Sequence, residues 1–233
     1  AYSWGVYGVH PFILLNYSDK YNDLSTLAHE MGHAMHSHYS SANQPYIKSR
    51  YAIFTAEVAS TVNEVLLMDY MRKHTYDTRQ QLFLINQELE SIRTTVYRQT
   101  MFAEFEKILY AKAENGEGIT ADLLDELWHE LNCRYYGADI APAKDISIEW
   151  ARIPHFYRSF YVYQYATGYS AATALSENLL TDKISAREKY SGFLKSGGSD
   201  YPLEVLRQAG VDMCTPLPIA TTLNKFARLL SAM

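Results

Sequence analysis

The sequence is poor in cysteine and has no long apolar run. Its 233 residues include two cysteines, Cys133 and Cys214. They lie far apart and outside any Cys-x-x-Cys pattern, so neither a disulfide framework nor a cysteine-rich metal site is indicated. No apolar run reaches the roughly 18 residues that a membrane-spanning helix needs, and the N-terminus lacks the pattern of a signal peptide. These absences predict a cytoplasmic protein with no membrane partner.

Clustered positive charge is also missing. The formal net charge is -5, and no Lys/Arg-rich segment provides an electrostatic footprint for nucleic acid. We therefore exclude nucleic-acid partners. The length suffices for one domain with a hydrophobic core, and no repeat or long linker divides it. Because the chain opens at Ala1 directly in an aromatic segment, we interpret residues 1–233 as a single domain or a fragment of one.

Helical patterning dominates after a short opening segment. Glycines and a proline surround the apolar run at residues 12–15, which favours one or two short strands. Breaks are clearest at residues 115–118 and 195–200, where glycines cluster with polar residues. The periodicity predicts helices at residues 24–39, 54–73, 78–113, 120–135, 168–180, 186–194 and 217–230. The fold class is therefore mainly α with a small β element.

The segment His29-Glu30-Met31-Gly32-His33 has the HExxH pattern. Two histidines four residues apart lie about 40° apart around a helix, so both imidazoles can reach one ion while Glu30 points at its water. Zinc suits imidazole and carboxylate ligands, and a catalytic zinc site uses three protein ligands with one open position. The motif predicts one Zn²⁺ per chain, bound by His29 and His33, with Glu30 as general base.

The two histidines are not expected to be core residues. If Leu24 marks the centre of the buried face, the opposite side of the helix carries His29 and His33. Within roughly 60° of Leu24 lie Leu27, Ala28, Met31 and Met35. The alternative is a pair of solvated surface histidines. His36 lies roughly 10 Å along the helix from His29, too far to bind the same ion, so we interpret it as hydrogen-bonded or exposed. His38 is likewise interpreted as hydrogen-bonded or exposed, and His10, His74 and His129 are interpreted as structural.

A third ligand is expected from the helix predicted at residues 54–73. Its polar residues form one stripe roughly 100° wide, and the rest of its surface is apolar, which indicates a buried helix. The stripe contains Glu57, Ser60, Thr61 and Glu64. Buried carboxylates are costly unless they bind a cation or accept hydrogen bonds. We therefore predict Glu57 as the third ligand and Glu64 as a group that orients a ligand histidine. The alternative is a stripe that faces solvent.

Segments 27–36 (LAHEMGHAMH) and 54–60 (FTAEVAS) resemble the thimet-oligopeptidase-like metallopeptidases, and the oligoendopeptidase F branch most closely. That family uses HExGH with a glutamate some two dozen residues further on, and Glu57 stands 24 residues after His33. The resemblance continues through residues 153–157, 160–168 and 193–199, so it covers essentially the whole chain.

The resemblance implies a zincin-like, mostly helical catalytic domain with a small β element near the active site. It also implies an intracellular, zinc-dependent enzyme that cuts short peptides in a channel between two lobes. Within this chain we expect a zinc-binding core at about residues 1–75 and a helical and substrate-loop part at about 76–233. Family members are much longer, so the N-terminal lobe of the same protein is expected as a missing partner.

The resemblance further implies a histidine and one or more tyrosines that grip the substrate and stabilise the tetrahedral intermediate. His155 matches the histidine by motif. For the tyrosine we favour Tyr161 and Tyr163, while Tyr165 remains open.

The expected function is a zinc-dependent endopeptidase that hydrolyses internal bonds of short oligopeptides. Glu30 takes the proton of the metal-activated water and delivers it to the leaving amine. Another zinc exopeptidase, either a carboxypeptidase or an aminopeptidase, would use the same ligands. An inactive peptide-binding fragment without its N-terminal lobe is a third possibility. The oligomeric state has no signal in the sequence.

Overall fold

The computed structural model describes residues 1–181 and 184–233. Strands β1 (Tyr2–Trp4) and β2 (Phe12–Leu14) form a small antiparallel sheet in which Tyr2 pairs with Leu14. The helices of the described residues are α1 (Tyr21–Asn43), α2 (Ile53–His74), α3 (Thr78–Ile92), α4 (Arg98–Glu114), α5 (Ala121–Tyr136), α6 (Tyr163–Thr181), α7 (Ser185–Ser196), α8 (Pro202–Gln208) and α9 (Leu217–Leu230). The predicted mainly α fold with a small β element is confirmed.

Some element boundaries differ from the prediction. The helix predicted at residues 78–113 is divided by a π-helical turn at Arg93–Tyr97, and α6 begins at Tyr163. Helix α8 was not predicted, nor were the 3₁₀ segments at Tyr46–Lys48, Lys144–Arg152 and Pro154–Tyr157. These pieces are short or lack the 3.6-residue repeat, so hydrophobic periodicity gives little signal for them.

The chain divides into two compact units. The first contains residues 1–92 and 167–233, and the second contains residues 93–166. The first unit has a core built on α2, whose Val58, Ala59 and Val62 are fully buried. Residues of α6, α7 and α8 pack against them: Ala171, Ala172, Leu175, Phe193, Leu194 and Leu206. The predicted burial of α2 is therefore confirmed, while the prediction that residues 1–233 form a single catalytic domain or fragment stays a prediction.

Helices α1 and α2 approach each other closely at Gly32. A Cβ atom on Gly32 would lie 2.5 Å from the Cα of Ser60 and 2.6 Å from the carbonyl oxygen of Ala59. Since no side chain fits there, glycine is required for this packing. The Asn63 side-chain amide also donates to the carbonyl of Ala28 at 3.1 Å, which links the two helices again one turn away.

The buried side of α1 differs from the prediction. Met31 was expected on the buried face, and this was wrong because its side chain is 44% exposed. The buried residues of α1 are Glu30, Gly32, Ala34, His36 and Ser40. The helix contacts α2, α7 and both strands of the β-hairpin. Small residues therefore lie at the closest helix contacts, and a single apolar stripe does not describe them.

The expectation that His36 is hydrogen-bonded or exposed was also wrong. Its ring is 1% exposed and stacks on Tyr51, with ring centroids 3.6 Å apart. Within the described part of the chain its Nδ1 has no hydrogen-bond partner. Burial, with a smaller contribution from His33, lowers the pKa of His36 to about 3. This histidine therefore packs as a neutral aromatic ring.

The second unit has its own core between α4 and α5. Phe102 and Phe105 of α4 contact Trp128 of α5, with ring centroids 5.0 Å apart in both pairs. The 3₁₀ segment Lys144–Arg152 packs along α5, where the Trp150 indole N–H donates to Asp125 at 2.7 Å. This unit therefore holds α5 against the 3₁₀ segment.

None of the described helices is long and apolar enough to cross a bilayer.

Candidate metal centre

The structure brings His29, His33 and Glu57 together. The Nε2 atoms of the two histidines lie 3.1 Å apart. Glu57 Oε2 lies 3.3 Å from His29 Nε2 and 3.5 Å from His33 Nε2. Two consecutive turns of α1 supply the imidazoles, and the first turns of α2 supply the carboxylate. Three potential ligand atoms from two packed helices thus meet at one point.

The spacing of these atoms fits a small tetrahedral ion. With zinc–ligand bonds near 2.0 to 2.2 Å, neighbouring ligand atoms of a tetrahedral site lie about 3.3 to 3.5 Å apart. The three observed separations are 3.1, 3.3 and 3.5 Å. Two imidazole nitrogens and one carboxylate oxygen are also the donor types that zinc uses when one position stays open. The residues present therefore fit a catalytic zinc ion.

The electrostatic environment favours positive charge at this point. Burial by itself would lower the pKa of His29, but hydrogen bonds with Glu57 and Glu64 outweigh it and raise the pKa to about 10. Burial would likewise raise the pKa of Glu57, and hydrogen bonds with His29 and His33 hold it well below its usual range instead. Two carboxylates thus stabilise a positive charge beside His29, as they would a bound cation.

Hydrogen bonds orient the candidate ligands. Glu64 Oε1 lies 3.4 Å from His29 Nδ1, and the Ser25 hydroxyl donates to the same oxygen at 3.4 Å. The Ser60 hydroxyl donates to Glu57 Oε2 at 3.3 Å. Such partners fix the ring and carboxylate orientation that a metal requires. Sequence reasoning missed Ser25, although it stands one helical turn before His29 and so shares its side of α1.

Glu30 lies next to His29 in the chain and is 7% exposed. Its position in the HExxH helix turns it by about 100° from His29. A carboxylate shielded from bulk water interacts more strongly with nearby charges than an exposed one.

Comparison with known proteins identifies the family of the chain. The family model described as peptidase family M3 matches residues 1–225. The chain belongs to peptidase family M3. It is 49% identical over 233 residues to the oligopeptidase PepF of Bacillus subtilis, covering 100% of this chain and 35% of that protein. It is 47% identical over 213 residues to an oligoendopeptidase F homolog of Lactococcus lactis, covering 91% of this chain and 35% of that protein.

A solved structure has a similar fold. The crystal structure of oligoendopeptidase-F from Enterococcus faecium matches with a TM-score of 0.78 and 40% identity, covering 91% of this chain and 40% of that one. The chain thus spans about a third of the length of the curated relatives that it matches.

The second unit of this M3 chain contains the other candidate site residues. The Tyr165 hydroxyl lies 3.2 Å from His155 Nε2, and the Tyr161 ring contacts both residues with centroids 5.7 and 5.6 Å away. Tyr163, at the start of α6, is 40% exposed. The structure therefore groups His155 with Tyr161 and Tyr165, the tyrosine that the sequence left open.

A strained turn precedes these tyrosines. Phe160 has φ 56°, in the left-handed region that bulky residues rarely adopt. Its N–H donates to the Glu106 carboxylate at 2.7 Å, which helps to hold the turn. Hydrophobic periodicity carries no signal for such a turn, so sequence reasoning could not choose among the tyrosines.

Proposed function

We propose that this chain is the catalytic part of a zinc-dependent oligoendopeptidase that hydrolyses internal bonds of short peptides. The observation that carries the proposal is the spacing of 3.1 to 3.5 Å between the ligand atoms of His29, His33 and Glu57. Glu30, next to His29 in the chain, is buried. Membership of peptidase family M3 and relatives named oligoendopeptidase F support it.

Each residue of the centre has a role in this proposal. His29, His33 and Glu57 hold the ion, and Glu64 orients His29 through Nδ1. When bound, zinc polarises the peptide carbonyl and lowers the pKa of a water molecule. Glu30 accepts the proton of the attacking water on its carboxylate and delivers it to the leaving amine nitrogen.

The oxyanion formed during hydrolysis also needs hydrogen-bond donors. We assign this role to His155 with Tyr161 or Tyr163, as the family resemblance implies. The hydrogen bond between Tyr165 and His155 supports a positioning role for Tyr165, since it holds the orientation of the His155 ring.

The whole protein is proposed to supply the rest of the substrate channel. Because the chain covers 35% of its relatives, we assign the remaining wall to an N-terminal lobe of the same protein. The expected cytoplasmic location stays a prediction.

The test compares wild type with Glu30→Gln in the full-length protein that carries this chain. The variant should keep its zinc, measured by elemental analysis, and lose roughly 100- to 10,000-fold in turnover because it lacks the base. Glu114→Gln changes an exposed glutamate at the end of α4 in the same way and serves as the matched control.

Mass spectrometry of the peptide products separates the alternatives. Internal cuts that disappear in Glu30→Gln indicate an endopeptidase, whereas removal of single terminal residues indicates an exopeptidase. Full activity of Glu30→Gln would refute the assigned base. Zinc without cutting in wild type would favour a peptide-binding protein.

A further inference from the structure

Glu106 is a buried glutamate on α4 to which the proposed mechanism gives no role. The residue is 4% exposed. A buried carboxylate is costly unless its oxygens accept hydrogen bonds. Glu106 Oε1 accepts two of them, from the backbone N–H of Phe160 at 2.7 Å and from the Tyr110 hydroxyl at 3.0 Å. The buried carboxylate is therefore spent on a contact with the backbone just before Tyr161, within the second unit.

The backbone of Phe160 needs support from its surroundings. Its φ of 56° lies in the left-handed region, and a bulky residue keeps such a conformation only where neighbouring contacts enforce it. The side chain of Phe160 is 57% exposed and meets the Tyr110 ring edge-on, with centroids 5.0 Å apart. A half-exposed ring contributes little burial, whereas a hydrogen bond to an ionised carboxylate is about twice as strong as a neutral one. Glu106 is therefore the main support of the Phe160 turn.

The left-handed turn leads directly into the candidate oxyanion donors. Tyr161 is the next residue, and its ring lies 5.7 Å from the His155 ring and 5.6 Å from the Tyr165 ring. Val162 follows, and it is 1% exposed in the core between α4 and α5. Tyr161 thus stands between a core residue on one side and the residue held by Glu106 on the other. A change at the turn should therefore move the Tyr161 ring and its contact with His155.

We propose that Glu106 is a positioning residue of the peptidase, which sets the place of Tyr161 and His155 by holding the Phe160 turn. The inference rests on the proposed function, because these two residues are the assigned oxyanion donors. Glu106 acts through the backbone and does not touch the substrate. Misplacing a catalytic group by about 1 Å can cost roughly 100-fold in rate. The loss of Glu106 should therefore appear in kcat, whereas a role in folding alone would leave the kcat of the folded protein unchanged.

The first test measures peptide cleavage by Glu106 variants of the full-length protein, with folding checked by circular dichroism. Glu106→Ala removes the acceptor and should lower kcat by about 10- to 100-fold with little change in KM. Glu106→Gln keeps an acceptor oxygen for both donors, so its kcat should lie within about threefold of wild type. Glu104→Ala is the matched control and should keep the wild-type kcat. Glu104 lies on the same helix and accepts the Tyr135 hydroxyl at 2.8 Å, and it pairs with Arg134, so both partners belong to α5.

Two variants of Phe160 test the same contact without changing the core. Phe160→Gly keeps the N–H donor and adopts a positive φ without steric cost, so its kcat should lie within about threefold of wild type. Phe160→Pro removes the donor and fixes φ at about −65°, so it should lower kcat as Glu106→Ala does. Because both changes break one contact, Glu106→Ala combined with Phe160→Pro should be no slower than the slower single variant. Additive losses would mean that Glu106 does not act through the turn.

Limited proteolysis measures the turn without relying on peptidase activity. Arg158 is exposed two residues before Phe160, so trypsin can cut after it when the segment opens. This cleavage should be at least about tenfold faster in Glu106→Ala than in wild type or Glu104→Ala. A wild type that cuts no peptide would refute the proposed function, and the trypsin comparison would still decide whether Glu106 holds the turn. The inference is overturned if Glu106→Ala keeps the wild-type kcat or trypsin rate, or if Glu106→Gln is as slow as Glu106→Ala.

Discussion

The candidate metal centre and the segment that contains His155 and Tyr165 are built in different ways. His29 and His33 lie on one long helix, and Glu57 lies on a buried neighbour whose approach Gly32 permits. His155 lies in a 3₁₀ turn, and the tyrosine that it contacts follows a strained residue. Helical geometry therefore sets the first group of side chains, whereas local hydrogen bonds set the second. We expect substitutions in the first region to abolish metal binding and those in the second to change rates.

The largest effect should come from removing a candidate ligand. His33→Ala leaves two of the three donor atoms, so zinc affinity should fall by at least about 100-fold and turnover with it. Elemental analysis after gel filtration measures the bound metal. His38→Ala is the matched control, because His38 is an exposed histidine on the same helix. Equal zinc content in the two variants would contradict the assignment of His33.

Regular spacing explains why the sequence could group the three candidate ligands that the structure brings together. The four-residue step from His29 to His33 and the single polar stripe around Glu57 need only helix geometry. Two facts about the same helices were not predictable. The contact of Gly32 with Ser60 depends on how α1 and α2 cross, and the burial of His36 depends on residues far along the chain, such as Phe193. The sequence contains the pattern of each helix, but it does not show which helices become neighbours.

The second-largest effect should come from disturbing the contact between α1 and α2, which positions the candidate metal centre. In Gly32→Ala the new Cβ would meet the backbone of α2, so the variant should lose about 1 to 3 kcal/mol of stability and bind zinc more weakly. Gly192→Ala in α7 is the matched control, because a Cβ there meets nothing within 4 Å. It should be neutral or stabilising by up to about 1 kcal/mol. Urea unfolding compares them, and equal stability of the two variants would refute the role of Gly32.

A smaller effect is expected from Tyr165, which contacts His155. Tyr165→Phe removes the hydrogen bond to His155, and a positioning role predicts a fall in kcat of about 2- to 10-fold with little change in KM. Tyr157→Phe is the control, since Tyr157 is 87% exposed. A direct oxyanion donor would instead cost about 100-fold or more. A loss of that size in the full-length enzyme would transfer the donor role from Tyr161 or Tyr163 to Tyr165.

The smallest effect concerns the pH dependence of the folding stability that arises from His36 on α1. Burial lowers the pKa of His36 to about 3 from its ordinary value of 6.5, so between these values the unfolded chain binds a proton that the folded chain does not. Stability should therefore fall as pH drops from 6.5 towards 3, with a contribution from His36 of roughly 1 kcal/mol per pH unit. His36→Phe keeps a ring to stack on Tyr51 but cannot take up a proton. Urea unfolding of the variant across this range should show a shallower fall than wild type, whereas parallel curves would mean that His36 is already protonated in the folded protein.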